Sequence, residues 1–183
     1  MPNAGPQAAD RGDAREVPNV RVRPVRDLDE AAAAGELLRT AYKDAGRGNP
    51  SYLEHLRDVG PRMTSAELLV AVDRSGTILG SVTYVRPGTQ YALVSRENEG
   101  ELRMLGVVEH RDKKLIEEML IRACVDRAGR DGYDALVMTA LKRHARRPGR
   151  TYVRAGFRLV KGREISPAPG LHLVVFTLPV PAS

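Results

Sequence analysis

Between Lys142 and Arg163 the sequence carries nine lysines or arginines and no aspartate or glutamate. Such a run can meet nucleic acid, an acidic protein or a phosphate-bearing cofactor, because each presents anionic oxygens to guanidinium and ammonium donors. A second cluster, Arg111, Lys113 and Lys114, sits just ahead of a long apolar-periodic segment. There a helix N-terminus would add its own attraction for an anion. Other chemistries are poorly served. The four histidines (His55, His110, His144, His172) show no H-E-x-x-H spacing and no paired cysteines beside them, so no metal site is indicated. A glycine-rich triphosphate loop and a G-x-S-x-G nucleophile elbow are both missing. The single Cys124 cannot form an internal disulfide and falls on a helical apolar stripe, which reads as a packed thiol. Nucleic acid ranks last among the partners of the basic run, because Tyr152 and Phe157 are its only aromatic residues.

The chain of 183 residues, with 42% apolar and 28% charged content, suits one soluble domain. No apolar run is long enough to span a membrane. Met1 to Val17 lacks an apolar signal region, so a cytoplasmic location is expected. Residues 1 to 18 read as a disordered tail and 19 to 183 as the domain. Val20 to Val25 alternates as a strand. Asp27 to Asp44 reads as a helix, opened by a capping-box-like pair, Asp27 and Glu30. Tyr52 to Val59 is a shorter helix. Leu68 to Val72 and Ile78 to Val85 form a hairpin around Asp73 to Gly76, and a polar excursion follows to Gly100. Glu101 to Val107 is the next strand. Asp112 to about Arg130 is the clearest helix, with Leu115, Ile116, Met119, Leu120, Ala123 and Cys124 on one stripe, and Asp112 is a good N-cap. His110 reads as a turn residue. Ala135 to Ala140, Gly156 to Val160 and Leu171 to Leu178 complete the strands. The order predicts an α/β domain with a mixed sheet, helices on its faces, and a parallel crossover from 101–107 to 135–140. The apolar, proline-flanked segment Leu171 to Val180 is expected at a sheet edge, where it would pair across a homodimer.

The strand Glu101 to Val107, the basic turn, the long helix, the next strand and the segment Tyr152-Val153-Arg154-Ala155-Gly156-Phe157 together resemble the acyl-CoA-binding core of the GNAT N-acetyltransferase superfamily. The resemblance spans roughly residues 20 to 180. It implies a mostly antiparallel sheet whose central parallel strand pair splays apart to admit acyl-CoA. It further implies that backbone groups of Leu105, Gly106 and Val107 pair with the pantetheine amides like an added strand. In the family the loop R-x-x-G-x-G/A brings glycine amides close to the pyrophosphate. Here both glycine positions are replaced, by Leu115 and Glu117, and Asp112 at the cap would compete for the same amides. Arg111, Lys113 and Lys114 are the replacement charge, and Arg146, Arg147 and Arg150 would reach the adenosine phosphates. Pro148 and Gly149 precede the short tyrosine-bearing helix.

The resemblance implies transfer of an acetyl group from acetyl-CoA to an amine by direct attack in a ternary complex, without a metal. Glu101 would be the base, directly or through a water, and Tyr152 the acid. A phenol with a pKa near 10 suits protonation of a departing thiolate. The acceptor is an amine on a small molecule or a protein: an aminoglycoside, a polyamine, an N-terminus or a lysine. Asp44, Glu54 and Asp58 are candidates to attract it. The alternative is a GNAT-fold binding or interaction module that has lost acyl-CoA, which the replaced glycines favour.

Overall fold

The computed structural model describes residues 17–145 and 150–181. The tail and the segment 146–149, with Arg146, Arg147, Pro148 and Gly149, lie outside the described residues, save Val17 and Pro18. Val17 is buried in the core, and its carbonyl accepts the Val20 N–H.

The strands are β1 (Arg21–Pro24), β2 (Glu67–Val72), β3 (Ile78–Val85), β4 (Glu99–Val107), β5 (Ala135–Leu141), β6 (Arg158–Ala168) and β7 (Leu171–Pro179). The helices are α1 (Leu28–Asp44), α2 (Pro50–Arg57), α3 (Gly60–Ser65), α4 (Lys113–Arg130) and α5 (Thr151–Arg154). One seven-stranded sheet runs β1-β2-β3-β4-β5-β7-β6, and all its pairings are antiparallel except β4–β5. That is the expected mixed sheet. α4 packs across β1 to β5 on one face, while α1, with α2 against it, covers β3 and β4 on the other.

Sequence chemistry explains the elements. α1 starts because Asp27 Oδ1 accepts the Glu30 N–H at 2.8 Å. The reciprocal half of the capping box is displaced by one residue: the Glu30 carboxylate takes the Arg26 N–H at 2.7 Å and the Arg23 guanidinium through both oxygens. Its carboxyl is thereby held at about 2. β2 and β3 are nearly continuous buried runs, with Ser81 and Thr83 the buried polar residues of β3, because helices cover both their faces. On α4 the stripe expected from sequence is the buried one, with Ile116, Leu120, Ala123 and Cys124 against the sheet. α1 meets the α2–α3 link at Gly35, where a Cβ would lie 2.7 Å from Val59 Cγ1 and 2.8 Å from the Arg57 carbonyl oxygen, so only glycine allows this approach.

Three expectations are corrected. The segment Leu171 to Val180 is not at an edge: β7 lies between β5 and β6, with Val174, Val175 and Phe176 buried. It is apolar because it is interior, and the edges are β1 and β6. β6 runs to Ala168, well past Val160, because Glu164, Ile165 and Ala168 keep pairing with β7. α3, one proline-initiated turn and a half, falls where the sequence reading places no element, between the expected helix to Val59 and the strand from Leu68.

Candidate active site

β4 and β5 pair in parallel only from Glu99 opposite Ala135 to Leu102 opposite Met138. Beyond that point β4 continues to Val107 and β5 to Leu141 without bonding each other. β4 stays bonded to β3, and β5 to β7, so the two strands diverge like a wedge. The cause lies in β4. Between Thr83 opposite Arg103 and Ser81 opposite Gly106, β4 holds one more residue than β3, a β-bulge. Met104 there adopts φ 53, unusual for a residue with a side chain. The bulge reverses the facing of the strand. Met104 packs with Leu38, Tyr42 and Leu56 on the α1 side, while Leu105 and Val107 join the α4 side.

At the wedge lies a cavity of about 270 Å³. Leu105, Gly106 and Val107 form one wall; Ala41, Tyr42, Ala45 and Arg47 come from the end of α1, Lys113 and Glu117 from α4, and His144 and Arg150 from the segment after β5. Gly106 permits the α1 approach: a Cβ there would lie 2.9 Å from Leu38 Cδ2. Of the expected cofactor residues, Leu105, Gly106, Val107 and Lys113 are brought together here. Arg111 and Lys114 are exposed on the outside of the turn, and Arg111 pairs with Asp112 at 3.2 Å. Sequence reasoning missed Tyr42 and Arg47; the guanidinium of Arg47 lies 4.2 Å from the Tyr42 ring centroid. Its only sequence signal was a cation just past the end of α1.

Asp112 does not cap α4 with its side chain. Its N–H donates to His110 Nδ1 at 3.0 Å, which makes His110 the turn residue expected, and its carboxylate turns to Arg111. The first-turn amides of an 18-residue helix are therefore not taken by that carboxylate. Glu117, at the second lost glycine, accepts a hydrogen bond from Thr151 Oγ1. Glu118 pairs with Arg154 at 2.7 Å. These contacts pin α5 to α4 and so fix Tyr152.

Tyr152 stacks edge-on against Phe176, ring centroids 4.9 Å apart. Its Oη is buried without a hydrogen-bond partner among the described residues. Burial raises its pKa, and Arg150 and Arg47, both cavity residues, oppose the rise. A buried phenol so placed keeps its proton and has no internal acceptor for it.

Glu101 is fully buried on the α1 side of β4. Its Oε2 accepts the N–H groups of Leu93, Val94 and Ser95 at 2.8, 3.0 and 3.1 Å, holding the β3–β4 loop. Its Oε1 has no hydrogen bond and lies 3.9 Å from Arg103 Nε. Arg103 Nη1 donates to the Tyr91 carbonyl, and Arg163 of β6 donates to the Val94 carbonyl and pairs with Glu99 at 2.6 Å. The loop is thus tied down by three side chains, Glu101, Arg103 and Arg163.

The basic run after β5 does not form one free surface. Lys142 pairs with Glu164, Arg154 with Glu118 and Arg163 with Glu99; Arg150 and His144 line the cavity, and Arg143, Arg158 and Lys161 are exposed. The acidic candidates for an amine also lie apart. Asp44 is exposed at the end of α1, and Glu54 pairs with Arg57. Glu54 and Asp58 line a separate shallow depression of about 530 Å³ along α2 and α3. Among the described residues no cluster of three metal-ligating side chains occurs, and no helix is long and apolar enough to cross a membrane.

No protein-family profile matches the sequence, and no curated protein matches it. Solved structures do. The aminoglycoside 6'-N-acetyltransferase of Enterococcus faecium is 15% identical with a TM-score of 0.64, covering 89% of this chain and 98% of its own. FeeM, an N-acyl amino acid synthase from uncultured soil microbes, is 18% identical with a TM-score of 0.63, covering 90% and 93%. A GNAT family acetyltransferase of Brucella melitensis, solved with acetyl-CoA, is 18% identical with a TM-score of 0.61, covering 90% of each chain. The chain therefore has the GNAT acetyltransferase fold.

Proposed function

We propose that this chain is an acyltransferase that moves an acetyl group from acetyl-CoA to an amine by direct attack in a ternary complex. One observation carries the reading: β4 and β5 part after Leu102, and the cavity at the parting combines unpaired β4 backbone with Arg47, Lys113 and Arg150. The residues present fit an acyl-CoA. Backbone groups of Leu105 to Val107 would pair with the pantetheine amides. Lys113, Arg150 and the open first turn of α4 would meet the pyrophosphate, side-chain charge standing in for the lost glycines. Glu117 is the one carboxylate in that lining, and its bond from Thr151 turns it toward α5.

Glu101, through its unbonded Oε1 or a water held there, would take the proton released as the amine nitrogen bonds to the acetyl carbon. As the carbon–sulfur bond breaks, Tyr152 would give its phenolic proton to the leaving thiolate, which binds a proton more weakly than phenolate, so the step needs the buried site to favour the neutral thiol. The orphaned Oη supports this role.

The test is calorimetric titration with acetyl-CoA at low salt on the unmodified chain, Lys113→Ala, Arg150→Ala and Lys114→Ala. Binding that weakens in the first two variants and not in Lys114→Ala supports the reading, since Lys113 and Arg150 line the cavity and Lys114 does not. The second reading, a binding module without acyl-CoA, is favoured by Leu115 and Glu117 in place of glycine. No heat at millimolar acetyl-CoA would select it.

A further inference from the structure

The α1–α2 side of the β4 bulge gathers two guanidinium groups, Arg62 and Arg103, and among the described residues only Arg103 has an ion-pair partner, Glu101 at 3.9 Å. Arg62, on α3, is fully buried. Its guanidinium donates to the Leu56 carbonyl and to the Met104 sulfur, and its Nε has no partner. Among the described residues it makes no ion pair, so a cation sits out of water against the bulge residue itself, an arrangement that is costly unless something compensates it. Arg103, one residue before the bulge, adds a second guanidinium whose side chain is 18% exposed. Asp58 acts on Arg62 only through space, while Glu101, beside Arg103, has one oxygen committed to three backbone N–H groups and the other buried without a hydrogen bond.

Flat rings lie alongside. His55 stacks on Tyr91 with centroids 6.0 Å apart, and Tyr52 follows at 6.2 Å from His55. Burial and the two guanidinium groups push the His55 imidazole down, against the opposing charge of Asp58, so it is neutral at physiological pH. A polycationic acceptor would meet repulsion here. A zwitterion would serve both charges at once, its ammonium at Glu101 Oε1 and its carboxylate at the Arg103 guanidinium, which keeps donors beyond the Nη1 bond to the Tyr91 carbonyl.

Resting on the acyltransferase reading above, we infer that the acceptor is an amino-carboxylate, its carboxylate bound by Arg103 with Arg62 behind it and its amine directed to Glu101. Discrimination comes from the carboxylate, and the adjoining rings of Tyr52, His55 and Tyr91 would meet the acceptor side chain. Aminoglycosides and polyamines are then poor acceptors.

The experiment measures thiol release from acetyl-CoA with phenylalanine, methionine and glutamine, each offered as the free acid, the α-amide and the decarboxylated amine, together with spermidine and tobramycin. Calorimetry of the same compounds runs in parallel, with and without CoA. At least one free acid should exceed its amide in kcat/KM by tenfold or more. Arg103→Gln should abolish that ratio by raising KM for the acid, while leaving acetyl-CoA affinity within twofold. Arg103→Lys, which keeps the charge and a donor for the Tyr91 carbonyl, should restore part of it. Amides or polycations used as well as acids, or a ratio that survives Arg103→Gln, would overturn the inference. So would the absence of both turnover and calorimetric binding for every acid in a chain that binds acetyl-CoA. Failure to bind acetyl-CoA would instead count against the acyltransferase reading, and free acids would still have to bind the chain alone for the anion site to stand.

Discussion

Replacing Glu101 separates its two roles. Glu101→Ala removes the acceptor of three N–H groups held at 2.8 to 3.1 Å. A hydrogen bond to a charged acceptor contributes about 1.5–3 kcal/mol. Leu93, Val94 and Ser95 are half-buried, so water recovers part of each bond, and removing a buried carboxylate returns part of its desolvation cost. The net loss should be about 2–4 kcal/mol, a large fraction of the roughly 5–15 kcal/mol that hold a domain folded. At a urea slope of about 2 kcal/mol/M the midpoint falls by about 1–2 M. Glu101→Gln keeps an oxygen at the same place without the charge and should cost about 1–2 kcal/mol. Hydrogen exchange at the amides of residues 93 to 95 should accelerate in the alanine variant beyond the global change. The glutamine variant carries the kinetic half: loss of the base should lower kcat about 10²–10⁴-fold with little change in acetyl-CoA affinity. An alanine variant with an unmoved midpoint and unchanged exchange at 93 to 95 refutes the stapling argument. A glutamine variant with full kcat refutes the base.

Tyr152→Phe should lower kcat by about 10²-fold or more and leave the melting temperature nearly unchanged, because the Oη it deletes has no partner to abandon. For Glu30, the Arg23 guanidinium outweighs burial and holds the carboxyl at about 2, below its unfolded value of 4.5. That pairing stabilises the fold above about pH 4.5 and is lost as pH falls toward 2. Arg23→Ala should therefore flatten the decline of the urea midpoint between those limits. Gly106→Val should cost about 1–3 kcal/mol of stability by crowding Leu38 and should weaken acetyl-CoA binding by filling the cavity wall, read by calorimetry. Cys124, fully buried and with its thiol pushed up by desolvation, should resist iodoacetamide in the native chain and alkylate readily in urea.

Much of the architecture was legible because burial writes itself as period. The stripe on α4 and the apolar runs of β2, β3 and β5 are each dictated by which face meets a neighbour. β6 was shortened because an edge strand exposed on both faces has no such pattern to show, its Lys161, Glu164 and Ser166 reading as loop. The neighbours of β7 are long-range facts that local composition does not encode. Within the site, Leu105 to Val107, Lys113 and Tyr152 were legible through motif order. Arg47, Tyr42 and Arg62 were not, because their relevance comes from α1 and α3 folding back onto β4. The bulge at Met104 left no trace either, since no glycine marks its positive φ. Asp112 illustrates the opposite error: a residue type favoured at caps was diverted by a neighbouring arginine.

The place of β7 has a consequence for how the chain is made. β5 and the Tyr152 turn are synthesised before β7, yet β7 is the strand that closes the gap between β5 and β6. While the ribosome is still adding Leu171 to Pro179, β5 offers one whole row of open backbone groups and β6 has no partner. The amino-terminal half, β1 to β4 with α1 and α4, can condense meanwhile on hairpin contacts close in sequence. The wedge that defines the cleft therefore forms last, and the nascent chain must shield an incomplete sheet margin until then. A chain ending before Leu171 should expose that margin to chaperones and proteases, whereas the chain that carries β7 should not.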